Sequence, residues 1–276
     1  MSSVDDYISK VFNINCLNKD DICEVVDTLD SPWLDRINIM SNNLSSHSGD
    51  SLFLLRELKI RHLIRDAALI NFSKDFIESA FNESKIILVD KLNYSKKPKV
   101  VLGVHDYFQV FTAYKLSLLF GGVYAFVEDS ALVPSNLSRI FEDKYQLYNK
   151  ISNGGVIVET GGLKKPYELM NQCIADRKSV FATIDIFSDA LKNVIDVEGE
   201  LGHYTIVSGV IEYFIKHDYE FCFARTILNN AGVVSLHLDE ISGVSVSDIS
   251  KGYIRRLEYY NKLDPLGWEG YLSRKF

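Results

Sequence analysis

An α/β fold with a mostly parallel central sheet, helices on both faces and an N-terminal helical layer is what this chain predicts. Two observations carry that reading. After Lys97 and Pro98, short runs rich in Val, Ile and Phe recur at 100–104, 123–127, 155–159, 179–186 and 219–226. Segments of helical length separate them, and strands joined by crossover helices pair in parallel. Before that point the apolar residues recur at three- and four-residue spacing, the period of a helix. The expected organisation is a helical region over residues 1–95 packed on an α/β domain over 96–276.

Taken in order, residues 18–26 (NKDDICEVV) offer a polar N-cap and a mixed apolar stretch, and residues 51–81 repeat the helical pattern at greater length. Residues 41–50 (SNNLSSHSGD) read as a loop, because Ser, Asn and Gly favour turns. VVLGV at 100–104 reads as a buried parallel strand, since a strand covered on both faces need not alternate. A helix over 107–120 follows and stops at Gly121 and Gly122. The second strand is 123–127, followed by a helix over 137–151, a third strand over 155–159 and a helix over 166–175. The fourth strand is SVFATIDI at 179–186, followed by a helix over 205–215 and a fifth strand over 219–226. A sixth strand over 233–238 and a helix over 246–261 complete the pattern.

The 276 residues suit one large domain, or one with a helical extension. Hydrophobic residues make up 47% and charged residues 24%, which excludes a disordered or low-complexity chain. A net charge of −7 argues against nonspecific nucleic-acid binding, which needs a basic surface to neutralise phosphates. The opening MSSVDDYISK has acids where a signal peptide needs positive charge and then an apolar run. No window is apolar over the ~18 residues of a membrane span; the longest candidate, 206–223, carries Glu212, Lys216, His217, Asp218 and Glu220. A soluble, cytoplasmic protein is expected. Cys16, Cys23, Cys173 and Cys222 form no CxxC pair and read as ordinary thiols.

Ligands of open α/β sheets bind at the carboxyl ends of the strands, so the residues after each strand matter most. The first strand runs into His105, at a strand-to-helix junction. A histidine there serves as a general base near neutral pH or, more blandly, as a helix cap or half-buried core group. Asp106 beside it complements the dipole of the following helix. The fourth strand delivers Asp185, and a carboxylate in so apolar a run needs a partner, as a site residue or as a loop anchor. Asp189 reads as a solvated loop acid. There is no GxxxxGK[ST] loop, no GxGxxG after a strand and no GxSxG elbow. The six histidines (His47, His62, His105, His203, His217, His237) lack HExxH or another close ligand spacing, so neither a metal nor another cofactor is expected.

The order of these pieces resembles a known family. Gly103-Val104-His105, an amphipathic helix and Gly121-Gly122 are similar to the strand, GVH motif and helix of the bacterial lipid A biosynthesis acyltransferases, the lauroyl and myristoyl transferases of the lysophospholipid-acyltransferase-like superfamily. Pro134, Ser135 and Asn136 before a helix resemble that family's second motif of an arginine, a proline and asparagines. The stretch ending at Asp185 is similar to its strand ending in Pro-Asp-Gln, and GYLSRKF at 270–276 to its terminal aromatic-x-x-Arg-Arg-aromatic segment. The resemblance covers roughly residues 50 to 276.

What the resemblance implies is acyl transfer by a histidine that deprotonates the acceptor hydroxyl, oriented by a Glu or Asp five residues later. Here that position is Val110, which cannot do the work. Gln109 is one residue short and uncharged, and Asp106 would project about 100° around the helix. Val133 stands where the family has its arginine, Ile184-Asp185-Ile186 replaces Pro-Asp-Gln, and the family's N-terminal anchor is not seen. One reading keeps an acyltransferase with His105 as base and Asp106 or Asp185 as its acid, acting on a hydroxyl or amine of a soluble or carrier-bound acceptor. The alternative is a catalytically inactive relative that binds an acyl chain or a carrier protein. An unrelated α/β enzyme or a plain scaffold stands further off.

The implied donor is a thioester on acyl carrier protein or coenzyme A, with peripheral membrane contact left open. Implied substrate-binding residues are Tyr107, Phe108, Gln109, Phe111, Pro134, Asn136 and Arg274, with Tyr114 also near that edge. The aromatic ones either line an acyl tunnel or pack a core, the commoner outcome at helical spacing. An acidic carrier would dock on basic pairs, and Lys164-Lys165, Arg177-Lys178, Arg255-Arg256 and Arg274-Lys275 are candidates, or ordinary solvated helix ends.

Overall fold

The computed structural model describes residues 3–12, 22, 25–27, 34–48, 51–70, 87–91, 95–127, 157–159, 165–185, 193–228 and 234–268. Three helices come first. α1 (Ser3–Phe12) buries Tyr7 and Val11, α2 (Leu34–Ser48) buries Ile37, Met40 and Leu44, and α3 (Ser51–Ile70) buries Leu54, Leu58 and Leu63 among others. The expected loop at 41–50 is therefore corrected. Residues 41–48 continue α2, because Met40 and Leu44 lie one turn apart on the stripe that α2 lays against α3. Their burial outweighs the local turn preference of Ser and Asn. Of residues 18–26, Ile22, Val25 and Val26 are helical, while residues 71–81 of the expected long helix lie outside the described residues.

α3 buries polar groups as well as apolar ones, since it is covered on several sides. Tyr7 donates to Asp66 Oδ2 at 2.7 Å, and Arg61 pairs in bidentate fashion with Asp264 at 2.8 and 3.0 Å. The His62 ring meets Tyr107 edge-on, centroids 4.7 Å apart. These contacts pack the N-terminal helices onto the rest of the chain.

The remaining elements are β1 (Ile87–Lys91), β2 (Lys99–Gly103), α4 (Gln109–Phe120), β3 (Val123–Val127), β4 (Ile157–Glu159), α5 (Lys165–Ala175), β5 (Ser179–Thr183), β6 (Val194–Gly199), β7 (Gly202–Val207), α6 (Gly209–Phe214), β8 (Glu220–Leu228), β9 (Val234–Ile241) and α7 (Val246–Leu263). A 3₁₀ turn over Pro265–Gly267 follows. Among the described residues seven strands form one sheet in the order β1-β9-β8-β2-β5-β3-β4. Every neighbouring pair is parallel except β8–β9. Only residues 229–233 join β8 to β9, too few for a crossover helix, so these two pair as a hairpin.

Helices cover both faces. Successive side chains of a strand point to opposite sides, and β8 shows the two sides plainly. Phe223 stacks on Tyr260 of α7 and Arg225 reaches Asn261 of α7, whereas Thr226 bonds Thr112 of α4 at 2.8 Å. α7 opens with a reciprocal capping box between Ser245 and Asp248. α4 closes on Gly121 with φ 67°, a left-handed cap that glycine adopts without strain.

Three further differences from the expected elements stand out. β1 lies within the region read as mostly helical. Residues 205–215 are not one helix: Thr205, Ile206 and Val207 belong to β7, and only Gly209–Phe214 is helical. β6 and β7 form a separate antiparallel hairpin with Gly199 opposite Gly202, whose φ of 110° glycine adopts without a Cβ clash. Its alternation buries Val197, Tyr204 and Ile206. The expected helix over 137–151 lies outside the described residues. Among the described residues no helix is long and apolar enough to cross a membrane.

Candidate active site

β2 and β5 are adjacent and parallel, with Val100 opposite Val180 and Gly103 opposite Thr183, a constant offset of 80 residues. Continuing that register past the strand ends sets His105 opposite Asp185, also 80 apart. The chain leaves β2 through α4 for β3, beyond β5. It leaves β5 through the hairpin and α6 for β8, beyond β2. In open α/β sheets, the carboxyl ends of adjacent strands whose connections depart in opposite directions are the usual ligand position. The Phe181 ring of β5 lies over residue 103, which has room for it because that residue is glycine. A Cβ on Gly103 would lie 2.4 Å from Phe181 Cε2.

His105 Nδ1 lies 2.7 Å from Asp185 Oδ1, and Thr183 Oγ1 lies 3.0 Å from His105 Nε2. The backbone N–H of His105 also donates to both oxygens of Asp185, at 3.0 Å each. Trp268 Nε1 donates to Asp185 Oδ2 at 2.7 Å. The side chain of Asp185 is 1% exposed and that of His105 23%, so the acid is sealed while the ring is reachable. Burial would push the Asp185 carboxyl up. The charge of His105, together with hydrogen bonds from its ring, from Trp268 and from its own N–H, outweighs burial and holds the carboxyl below the usual range. Asp185 is therefore an ionised acceptor near neutral pH, so the ring proton belongs on Nδ1. The lone pair of Nε2 then receives the Thr183 hydroxyl. Hydroxyl, imidazole and carboxylate stand in the order of a nucleophile, its base and the group that orients the base.

The surroundings hold this geometry. Tyr253 of α7 donates to the carbonyl of Gly103 at 2.9 Å, and burial, then the charge of Asp185, keep its phenol well above the ordinary range and neutral. Asp106 pairs through its backbone with Trp268, in an isolated antiparallel bridge. Just before Trp268, Asp264 is fixed by Arg61, and its carbonyl accepts from Arg225 at 2.8 Å. Neither Thr183 nor Trp268 was among the candidates read from sequence. Thr183 could have been found from the two-residue spacing to Asp185, which sets both on one side of a strand; Trp268 carries no local signal.

The other candidates have other surroundings. Asp106 is buried, and its Oδ1 accepts from the N–H of Phe108 at 2.8 Å, at the start of α4. Tyr107, Phe108, Phe111 and Tyr114 are all buried in the core, with Tyr107 donating to Met40 Sδ at 3.3 Å. Gln109 is half-buried on the first turn of α4. Pro134, Asn136, Arg274 and the pair Arg274-Lys275 lie outside the described residues, as does Lys164. Arg177 and Lys178 precede β5, at the opposite end of the sheet from His105, and Lys178 bonds the carbonyl of Gly121 at 2.9 Å. Arg255 is exposed on α7, and Arg256 bonds the carbonyl of Gly252 at 3.0 Å. Cys173 and Cys222 are buried and unbridged. Among the described residues no group of three or more His, Cys, Asp or Glu could hold a metal ion.

No family model and no curated protein matches this chain.

Proposed function

We propose that the protein is an acyltransferase that moves an acyl group from a thioester, on acyl carrier protein or coenzyme A, to a hydroxyl or amine of a soluble or carrier-bound acceptor. His105 is its general base and Asp185 the acid that orients it. One observation carries the reading: the contact from His105 Nδ1 to Asp185 Oδ1 at 2.7 Å. The resemblance to the lipid A acyltransferases has a gap at Val110, where a carboxylate is needed to hold the ring and stabilise the imidazolium. Asp185, reached across the β2–β5 pairing instead of along α4, supplies the same chemistry. It supports the catalytic reading over that of an inactive acyl-binding relative. Both thioester donors are cytoplasmic, which is where this reading puts the chain.

The test follows thiol release from acyl-CoA and acyl-carrier thioesters, comparing the wild type with His105→Ala in the presence of hydroxyl and amine acceptors. Loss of release in the variant supports the proposal. Equal rates overturn the role of His105, and binding of acyl carrier without turnover in any acceptor screen favours the inactive relative.

A further inference from the structure

We infer that Thr183 is the nucleophile of a two-step transfer and carries the acyl group between donor and acceptor. The inference rests on the acyl-transfer reading above and deepens it. In direct transfer the acceptor hydroxyl has to sit against the bare nitrogen of His105, the position from which its proton is taken. That position is held by a group of the protein itself, Thr183 Oγ1, 3.0 Å from Nε2. Asp185 on Nδ1 fixes the tautomer, so the Thr183 hydroxyl donates along the line of proton abstraction. Thr183 is the last residue of β5, half-buried, and sits opposite Gly103 at the carboxyl edge of the sheet. A β-branched residue at a strand end has few side-chain rotamers, which keeps the hydroxyl aimed at the ring.

The chemistry balances without a cofactor. In the first half-reaction Thr183 Oγ attacks the thioester carbonyl carbon and its proton passes to His105 Nε2. The C–S bond breaks, and the departing sulfur takes that proton and leaves as a free thiol. In the second, the acceptor hydroxyl or amine enters where the thiol left and gives its proton to Nε2. Its oxygen or nitrogen bonds the acyl carbon, the C–Oγ bond breaks, and Thr183 recovers the proton. Asp185 stabilises the imidazolium in both halves.

The experiment mixes the full chain with acyl-CoA thioesters in the absence of acceptor, records thiol release on the millisecond scale, and measures the intact mass after an acid quench. Thr183→Ser keeps the hydroxyl, and Thr183→Val keeps the shape and strand preference without it. The expected result is a burst of about one thiol per chain, with a mass increase of one acyl group mapping to Thr183. Both persist in Thr183→Ser and are absent in Thr183→Val, whose turnover falls about 10³-fold or more. Turnover that needs His105 but continues undiminished in Thr183→Val, with no adduct on the wild type, overturns the nucleophile while the acyl-transfer reading stands. An adduct on a different residue overturns it equally. Absence of thiol release from the wild type with every thioester and acceptor tried overturns both readings.

Discussion

The indole N–H of Trp268 reaches Asp185 Oδ2 at 2.7 Å, joining the end of the 3₁₀ turn to a carboxylate 83 residues earlier in the chain. Both side chains are buried, and the bond occupies one carboxylate oxygen so that the other, Oδ1, faces the His105 ring. Trp268 is thus a positioning residue for the acid of the pair. It is held in turn by its backbone bridge to Asp106 and by the anchoring of Asp264 on Arg61 and Arg225.

Removing that donor tests the positioning. Trp268→Phe keeps most of the apolar volume and loses the N–H, leaving a buried carboxylate one hydrogen bond short, at a cost of about 1–3 kcal/mol. Urea denaturation should register this loss, and thiol release should fall with it. If release is unchanged in a folded Trp268→Phe, the indole does not orient Asp185.

Asp185→Asn removes the charge and keeps the shape. Loss of the orienting carboxylate from a histidine-based site costs about 10⁴-fold in rate, and that is the expected drop here. The same variant tests a stability claim. The folded carboxyl is held below its ordinary value, which is ~3.9 in an unfolded chain. Its contribution is therefore fully present above about pH 3.9 and is lost as pH falls through the folded value. Melting temperature against pH should fall less steeply in this acid range for Asp185→Asn than for the wild type.

His62 offers a second acid-sensitive group, in a different pH window. It is buried, and burial first, then the charges of Arg65 and Arg36, hold its pKa well below the ordinary histidine value. The unfolded chain takes up that proton at about pH 6.5 while the folded chain does not, so stability declines as pH drops below that point. His62→Phe, which retains a ring against Tyr107, should flatten the decline. An identical pH profile in the variant would show that His62 does not contribute to it.

Gly103→Ala tests the packing of the Phe181 ring over β2. The added Cβ meets the buried Phe181 ring at 2.4 and 2.8 Å, an overpacking expected to cost about 1–3 kcal/mol. Combining it with Phe181→Leu should recover most of the loss in denaturant midpoint. Because Gly103 lies two residues before His105, the single variant should also lower thiol release more than its stability loss accounts for.

Local pattern made much of the α/β half legible. Lys97 and Pro98 mark the change of grammar, and β3 coincides with the expected VYAFV run. α4 ends at the expected glycines, and α7 starts where Ser245 and Asp248 allow a capping box. The misread segments are those in which tertiary burial overrode local preference. Ser41–Ser48 joins a helix because Met40 and Leu44 face α3. The alternation that makes β7 is short enough to pass for the start of the helix after it.

Sequence alone determined that a histidine stands after one buried strand and an aspartate at the end of another, since strand ends and apolar runs are local properties. That these strands are neighbours was decided only by the tertiary structure, which sets β5 beside β2 although β3 and β4 come between them in the chain. The pairing register brings Asp185 to His105 and aims Thr183 at the far side of the ring, and α7 with its 3₁₀ turn adds Trp268. The physical reason is one of range: helix and strand preferences act over a few residues, whereas the carboxylate that meets the His105 ring arrives from 80 residues away through a hydrogen-bonded register.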